Sequence, residues 1–258
     1  MDLRAVKAAT SPELASCTIA AARNAQGLLH DAEVLAEAGC IARAYSLAAL
    51  TVEECGKAAC LAVLAVLPKR LRTHAPVGRM LEWHQLKQIG GLLIAAAPGA
   101  ASKLAAMPAT RAAQILSTLN ACAEEADRLK RRGFYVDMDR GARIREPSEI
   151  TEAEVTDQLA RARRAAASAR GLLTADVRSR IANPSAESRE LAGAMVEALT
   201  ETGYDRTPEA AADVIAKTIS KLRDRSAAID AAGAADPSQS QHQRRLARYT
   251  RRSRRRQC

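Results

Sequence analysis

RAYSLAALTVEECGKAACLAVLAVLP, from Arg43 to Pro68, decides how this chain folds. It reads as one long helix, apolar on nearly every side and therefore central to a core, and ended by the proline. Three charged residues interrupt it: Glu53, Glu54 and Lys57. An unpaired buried carboxylate costs several kcal/mol, so these groups must be paired or expelled to the surface. On a 3.6-residue period Arg43, Leu47, Leu50, Glu54 and Lys57 fall close to one stripe, while Glu53 and Lys57, four apart, can pair directly. The bland alternative is an ordinary ion pair on a solvated face, but Ala48, Ala49, Val52, Ala58, Ala59, Leu61 and Val63 make the surroundings apolar. The three groups are expected to form one polar cluster on an inner helix.

The rest of the chain agrees with a helical core. It has 258 residues, 48% of them hydrophobic and only 2% aromatic, a composition that suits helices and offers little for strands. The expectation is an all-α protein. No segment reaches the roughly 18 uninterrupted apolar residues of a membrane span, and MDLRAVKAAT lacks a signal-peptide core. A cytoplasmic protein without membrane contact follows as an expectation. The six cysteines are scattered without a C-x-x-C pair, and are expected to be reduced, small core residues.

Caps and breakers divide the chain. Thr10 or Ser11 with Pro12 opens a first helix, and Gly39 stands where a left-handed C-terminal cap belongs. The second helix runs from about Cys40 to Leu67, a third from about Arg79 to Ala97, and a fourth from about Pro108 to Arg132, ended by Gly133. GFYVDMDRGARIREPSEI has no helical period and reads as an ordered loop or a short hairpin. Thr151 with Glu154 is a capping box for a helix to about Leu173. Asn183-Pro184-Ser185 starts another that stops near Gly203, and Thr207-Pro208 starts the last, which fades near Ala231.

The net charge of +10 sits mostly at one end. From Ala231 onward eight arginines stand against Asp236, which leaves +7 there and +3 elsewhere. Such a run self-repels and cannot build a core, so residues 233–258 are expected to be a disordered basic tail. Residues 176–232 read as a C-terminal helical pair and 1–175 as the main bundle.

Three motifs carry a resemblance. DAEVLAEAGCIARAYSLAALTVEECGKAACLA (residues 31–62), HQLK (84–87) and LKRRGFYVDMDRGARIREPSEIT (129–151) resemble the AbiV family of bacterial abortive-infection proteins, which is similar to the HEPN superfamily. The resemblance implies an up-and-down helical bundle, a role in defence against phage, frequent dimerisation and, in many HEPN members, metal-independent RNA cleavage by an arginine and a histidine. It also marks Glu53, Glu54, Lys57, Tyr135 and Asp137 as a polar cluster.

Arg79 and His84 have the spacing of that arginine–histidine pair, and Lys87 lies one turn further on. These three are the catalytic candidates. RNA cleavage through the 2′-hydroxyl needs a proton acceptor, a proton donor and a cation for the phosphate, which His84 and Arg79, Lys87 or Arg131 can supply. The competing reading makes His84 a core or interface histidine bonded to Glu53 or Glu54. Phe134 and Tyr135 line a polar pocket or plug the end of the bundle after Gly133 turns the chain. His30, His74 and His242 read as surface residues. Arg131 with the tail residues Arg251, Arg252, Arg254, Arg255 and Arg256 are the RNA-binding candidates.

No cofactor and no metal are expected. No glycine-rich phosphate loop, G-x-S-x-G or H-E-x-x-H is present. Two functions remain. The first is a non-catalytic HEPN-type interaction module acting on a phage or translation component, with a phage or host protein as trigger and a second copy as possible partner. The alternative is a metal-independent endoribonuclease that cuts host or phage RNA.

Overall fold

A computed structural model describes residues 3–67, 69–72, 81–82, 84–96, 108–138, 143–174, 176–202, 216–218, 220–221 and 224. They form an all-α bundle around one central helix. In chain order the helices are α1 (Leu3–Ala8), α2 (Ser11–Glu37), α3 (Ile41–Val66), α4 (Lys69–Arg72), α5 (His84–Ala96), α6 (Ala109–Phe134), α7 (Glu152–Ala169), α8 (Val177–Ala182) and α9 (Ala186–Thr202). Between α6 and α7 lies an antiparallel hairpin of two two-residue strands, β1 (Asp137–Met138) and β2 (Ile144–Arg145), followed by a 3₁₀ turn, Pro147–Glu149.

Helix α3 is the axis. It packs against α2, α5, α6, α7, α8 and α9. Ala44, Ala48, Ala49, Val52, Cys55, Ala58, Leu61 and Leu64 are all fully buried, as an all-round apolar helix requires. Helix α2 runs back along it and turns a narrower stripe inward: Leu14, Ala15, Thr18, Ala21, Ala22, Ala25, Leu29 and Ala32. The three- and four-residue spacing of that stripe is that of one helix face. So many alanines bring the two backbones close.

Local signals set the ends. Thr10 caps α2 and Thr151 caps α7, each in a reciprocal box with the glutamate three residues on. Gly39 adopts φ +74° after α2, a conformation that costs a side chain but not glycine. At the far end of the α2–α3 pair, buried Arg72 donates to the Leu67 and Ala9 carbonyls (2.9 and 2.7 Å) and to the Ser11 hydroxyl (2.9 Å). Gln26 reaches the Ala166 carbonyl at 2.8 Å and Arg163 reaches Glu33 at 2.7 Å, fastening α7 to α2.

Several expectations need correction. Leu81 and Glu82 form a turn, so the helix expected from about Arg79 begins at His84. Helix α6 does not stop at Gly133 but continues to Phe134, because Gly133 is buried against α3 and serves close packing rather than chain reversal. Among the described cysteines Cys55 and Cys60 are buried, Cys122 is half-buried, and Cys17 and Cys40 are exposed. The last expected helix falls almost wholly outside the described residues, as do Arg79, His74 and the arginine-rich tail. Among the described residues no helix is long and apolar enough to cross a membrane.

Candidate functional site

Two close helix crossings assemble the site. Where α3 meets α5, a Cβ on Gly91 would lie 2.1 Å from the Val52 carbonyl oxygen, and Gly56 meets Lys87 in the same way. Where α3 meets α6, a Cβ on Gly133 would lie 2.1 Å from the Ser46 hydroxyl and 2.4 Å from the Ala42 carbonyl. The Ser46 hydroxyl donates to the Lys130 carbonyl at 2.9 Å. Side chains would hold these backbones apart, so glycine at 56 and 91 brings α5 onto the middle of α3, and glycine at 133 brings the end of α6 onto its first two turns.

Glu53 lies where they converge, 5% exposed. His84 Nδ1 stands 2.6 Å from Oε1, Lys87 Nζ 2.8 Å from Oε1, and Lys130 Nζ 3.0 Å from Oε2. Lys130 also meets Asp127 at 2.8 Å, and Asp127 meets Arg131 at 2.9 Å. The result is a continuous chain from His84 through Glu53, Lys130 and Asp127 to Arg131. Burial pushes the Glu53 carboxyl up, but the His84 hydrogen bond with the Lys87 and Lys130 charges overcomes it and holds the group well below the usual carboxylate range. Burial likewise disfavours the Lys130 ammonium, yet Glu53 and Asp127 leave it raised.

That ionisation fixes the histidine. A carboxylate can only accept, so Nδ1 carries the proton and donates to Glu53, and in the neutral ring Nε2 holds the lone pair. The His84 side chain is 57% exposed. The group is thus anchored on one nitrogen by a buried anion while solvent reaches the ring.

The predicted residues divide accordingly. Glu53, His84 and Lys87 come together, with Arg131 at the outer end of the chain. Lys57 does not pair with Glu53 as its spacing suggested; it binds Glu54 at 2.9 Å, three residues away, in a separate and more exposed pair. Glu53 instead faces α5 and α6. Tyr135 is 67% exposed and Phe134 is also exposed, so neither plugs the bundle. Asp137 opens β1, opposite Arg145.

Sequence reasoning missed Lys130 and Asp127. Their positions in R-L-K and E-A-D of an amphipathic helix look like solvated charges, and no local spacing links Lys130 to a carboxylate 77 residues earlier. Glu149, which gathers Arg132, Arg143 and Arg145 within 3.4–3.7 Å, was likewise hidden by distance along the chain.

Searches of curated proteins and of solved structures returned no match. The AbiV family profile, a HEPN family, matches residues 13–167. The match runs from the first turn of α2 to the last turn of α7 and contains every residue of the Glu53 chain. This chain belongs to the AbiV family of HEPN-type abortive-infection proteins.

Proposed function

We propose that this defence protein is a ribonuclease that cleaves RNA through the 2′-hydroxyl with His84 as its proton-transfer residue. One observation carries the reading: His84 is solvent-exposed yet held at Nδ1 by a buried, ionised carboxylate. A histidine serving only the core would have no need of exposure. In the proposed step, Nε2 takes the 2′-hydroxyl proton, the 2′-oxygen attacks phosphorus, and the 5′-oxygen leaves with a proton returned by the imidazolium. The products are a cyclic phosphate and a 5′-hydroxyl. Glu53 stabilises the imidazolium between the two transfers. Arg131, 68% exposed, would hold the phosphate; Arg79 remains a further candidate.

The test is purified protein incubated with total RNA and with tRNA, parent beside His84→Ala. The variant is expected to lose about 10²–10⁴ in rate while melting close to the parent, because Lys87 and Lys130 still neutralise Glu53. A parent that cuts no RNA would defeat the proposal.

A second reading, the non-catalytic interaction module acting on a phage or translation component, draws support from the span of Glu53. One carboxylate ties α3, α5 and α6 together, which is what a group that only fixes the bundle would do. His84→Ala would then leave no RNA-cutting activity to lose.

A further inference from the structure

Exposed apolar residues scattered singly mean little, but here they are gathered. Of the five large hydrophobic side chains exposed among the described residues, four (Phe134, Tyr135, Val136 and Ile144) fall within residues 134–144. Phe134 and Tyr135 stand edge to face, ring centres 6.2 Å apart, in a chain that has only six aromatic residues. Arginines rim them. Arg131 and Arg143 are each about two-thirds exposed. Beside the rings lies an open cleft of about 470 Å³, lined by Gly39, Ile41, Arg43, Phe134, Pro147 and Ser148, a size within the range of small-ligand sites.

Aromatic faces within a cationic rim are the two elements that hold unpaired nucleic-acid strands: rings stack with bases and arginines meet phosphates. Bases locked in a duplex cannot present their faces to such rings. The exposed guanidiniums of Arg131 and Arg143 on the rim favour a polyanion over an apolar protein surface. The patch also adjoins the site already described. Arg131 ends the ion-pair chain from His84, and Tyr135 follows it by one turn, its N–H bonded to the Arg131 carbonyl at 3.0 Å. From Ala42, beside the cleft, to Glu53 is about 16 Å at the rise of an α-helix.

We propose that Phe134 and Tyr135, with Arg131, Arg143 and the adjoining cleft, dock single-stranded RNA and lead it to His84. One base stacks on Tyr135, and a second enters the cleft against Phe134. The ribonuclease reading supplies the identity of the strand as RNA, and the docking itself is testable without turnover.

The test titrates fluorescein-labelled oligouridylate, alone and annealed to oligoadenylate, into the full chain carrying His84→Ala at physiological salt. Single strand is expected to bind more tightly than duplex. Tyr135→Ala and Phe134→Ala should each weaken it by about 5-fold to 150-fold, the worth of one stacked base, and Tyr135→Phe should retain the affinity. A bromouridine-substituted oligonucleotide should photocrosslink to the peptide holding Phe134 and Tyr135, a readout the arginine-rich tail does not supply. Melting curves check that each variant folds. Equal affinity of parent and both alanine variants, a preference for duplex, or crosslinks confined to the tail would overturn the proposal. So would a Tyr135→Ala protein that binds RNA normally but no longer self-associates, since the patch would then join two copies. Strand binding by this patch in a parent that cuts no RNA would remove the ribonuclease reading and leave the docking intact.

Discussion

A methyl group on Gly56 of α3 would lie 1.8 Å from the carbonyl oxygen of Lys87 on α5. The partner atom is backbone, so no side chain can swing aside, and two helices would have to separate. Lys87 and His84 would then be drawn off Glu53. Alanine normally gains about 1 kcal/mol over glycine inside a helix, but overfilling a packed contact costs about 1–3 kcal/mol or more. The second effect wins here. Gly56→Ala is expected to destabilise by about 3 kcal/mol or more. Gly27 in α2, with nothing within 4 Å of its missing Cβ, is the control: Gly27→Ala should raise stability by about 0.5–1 kcal/mol. Thermal melts of the two variants would read the opposite signs, and equal shifts would refute the close-contact argument.

Replacing Glu53 by glutamine keeps its shape and removes its charge. Lys87 and Lys130, both more than nine-tenths buried, then lose their shared anion, although Lys130 retains Asp127. Breaking a buried pair in this way costs about 3–5 kcal/mol. Glu54→Gln disrupts only the more exposed pair with Lys57 and should cost below about 1 kcal/mol. Urea unfolding of both variants measures the difference, and comparable midpoints would show that Glu53 is not the hub.

Acid should erase that difference. Because the folded state holds the Glu53 carboxyl below its ordinary value of 4.5, its contribution is present above about pH 4.5 and is lost as the pH falls below it. The groups facing it are His84, Lys87 and Lys130. The stability gap between parent and Glu53→Gln should therefore hold from about pH 7 to about pH 4.5 and narrow as the pH falls from there toward about pH 3. A gap that stays constant would mean that Glu53 is not ionised in the fold at neutral pH.

The tail yields a separate expectation. Residues 241–258 carry eight arginines, and phosphate attraction of this kind falls steeply with salt and ignores sequence. Removing them should leave the melting temperature unchanged and weaken RNA retention at low salt more than at high salt. Retention unchanged at every salt concentration would exclude the tail as an RNA-binding arm.

The bundle was legible wherever the cause lay within a turn or two of the residue. Thr10, Gly39 and Thr151 mark helix ends through their own backbone chemistry, and the apolar run of α3 announces a central helix. The site was legible only in part. Glu53 stood out because a carboxylate in such surroundings demands partners, and HQLK supplied two of them at one-turn spacing. Which lysine served which carboxylate was not legible, since spacings of three and four residues both permit contact. Lys130 comes from a distant helix and leaves no periodic trace near Glu53. Gly133 misled because a glycine near a helix end has two uses, reversing the chain or admitting a neighbour's backbone, and only the packed fold tells them apart.

Arg72 gives the molecule a clasp. The turn at Gly39 joins α2 to α3 at one end, and the Arg72 guanidinium, bound to Leu67, Ala9 and Ser11, joins them again at the other. This long helix pair is thereby a closed ring of chain rather than an open fork. Fraying from either terminus must first release a buried guanidinium from three acceptors. Amide exchange along α2 and α3 should consequently be slow and uniform, and the rest of the bundle would assemble on, and dissociate from, this pair as a preserved kernel.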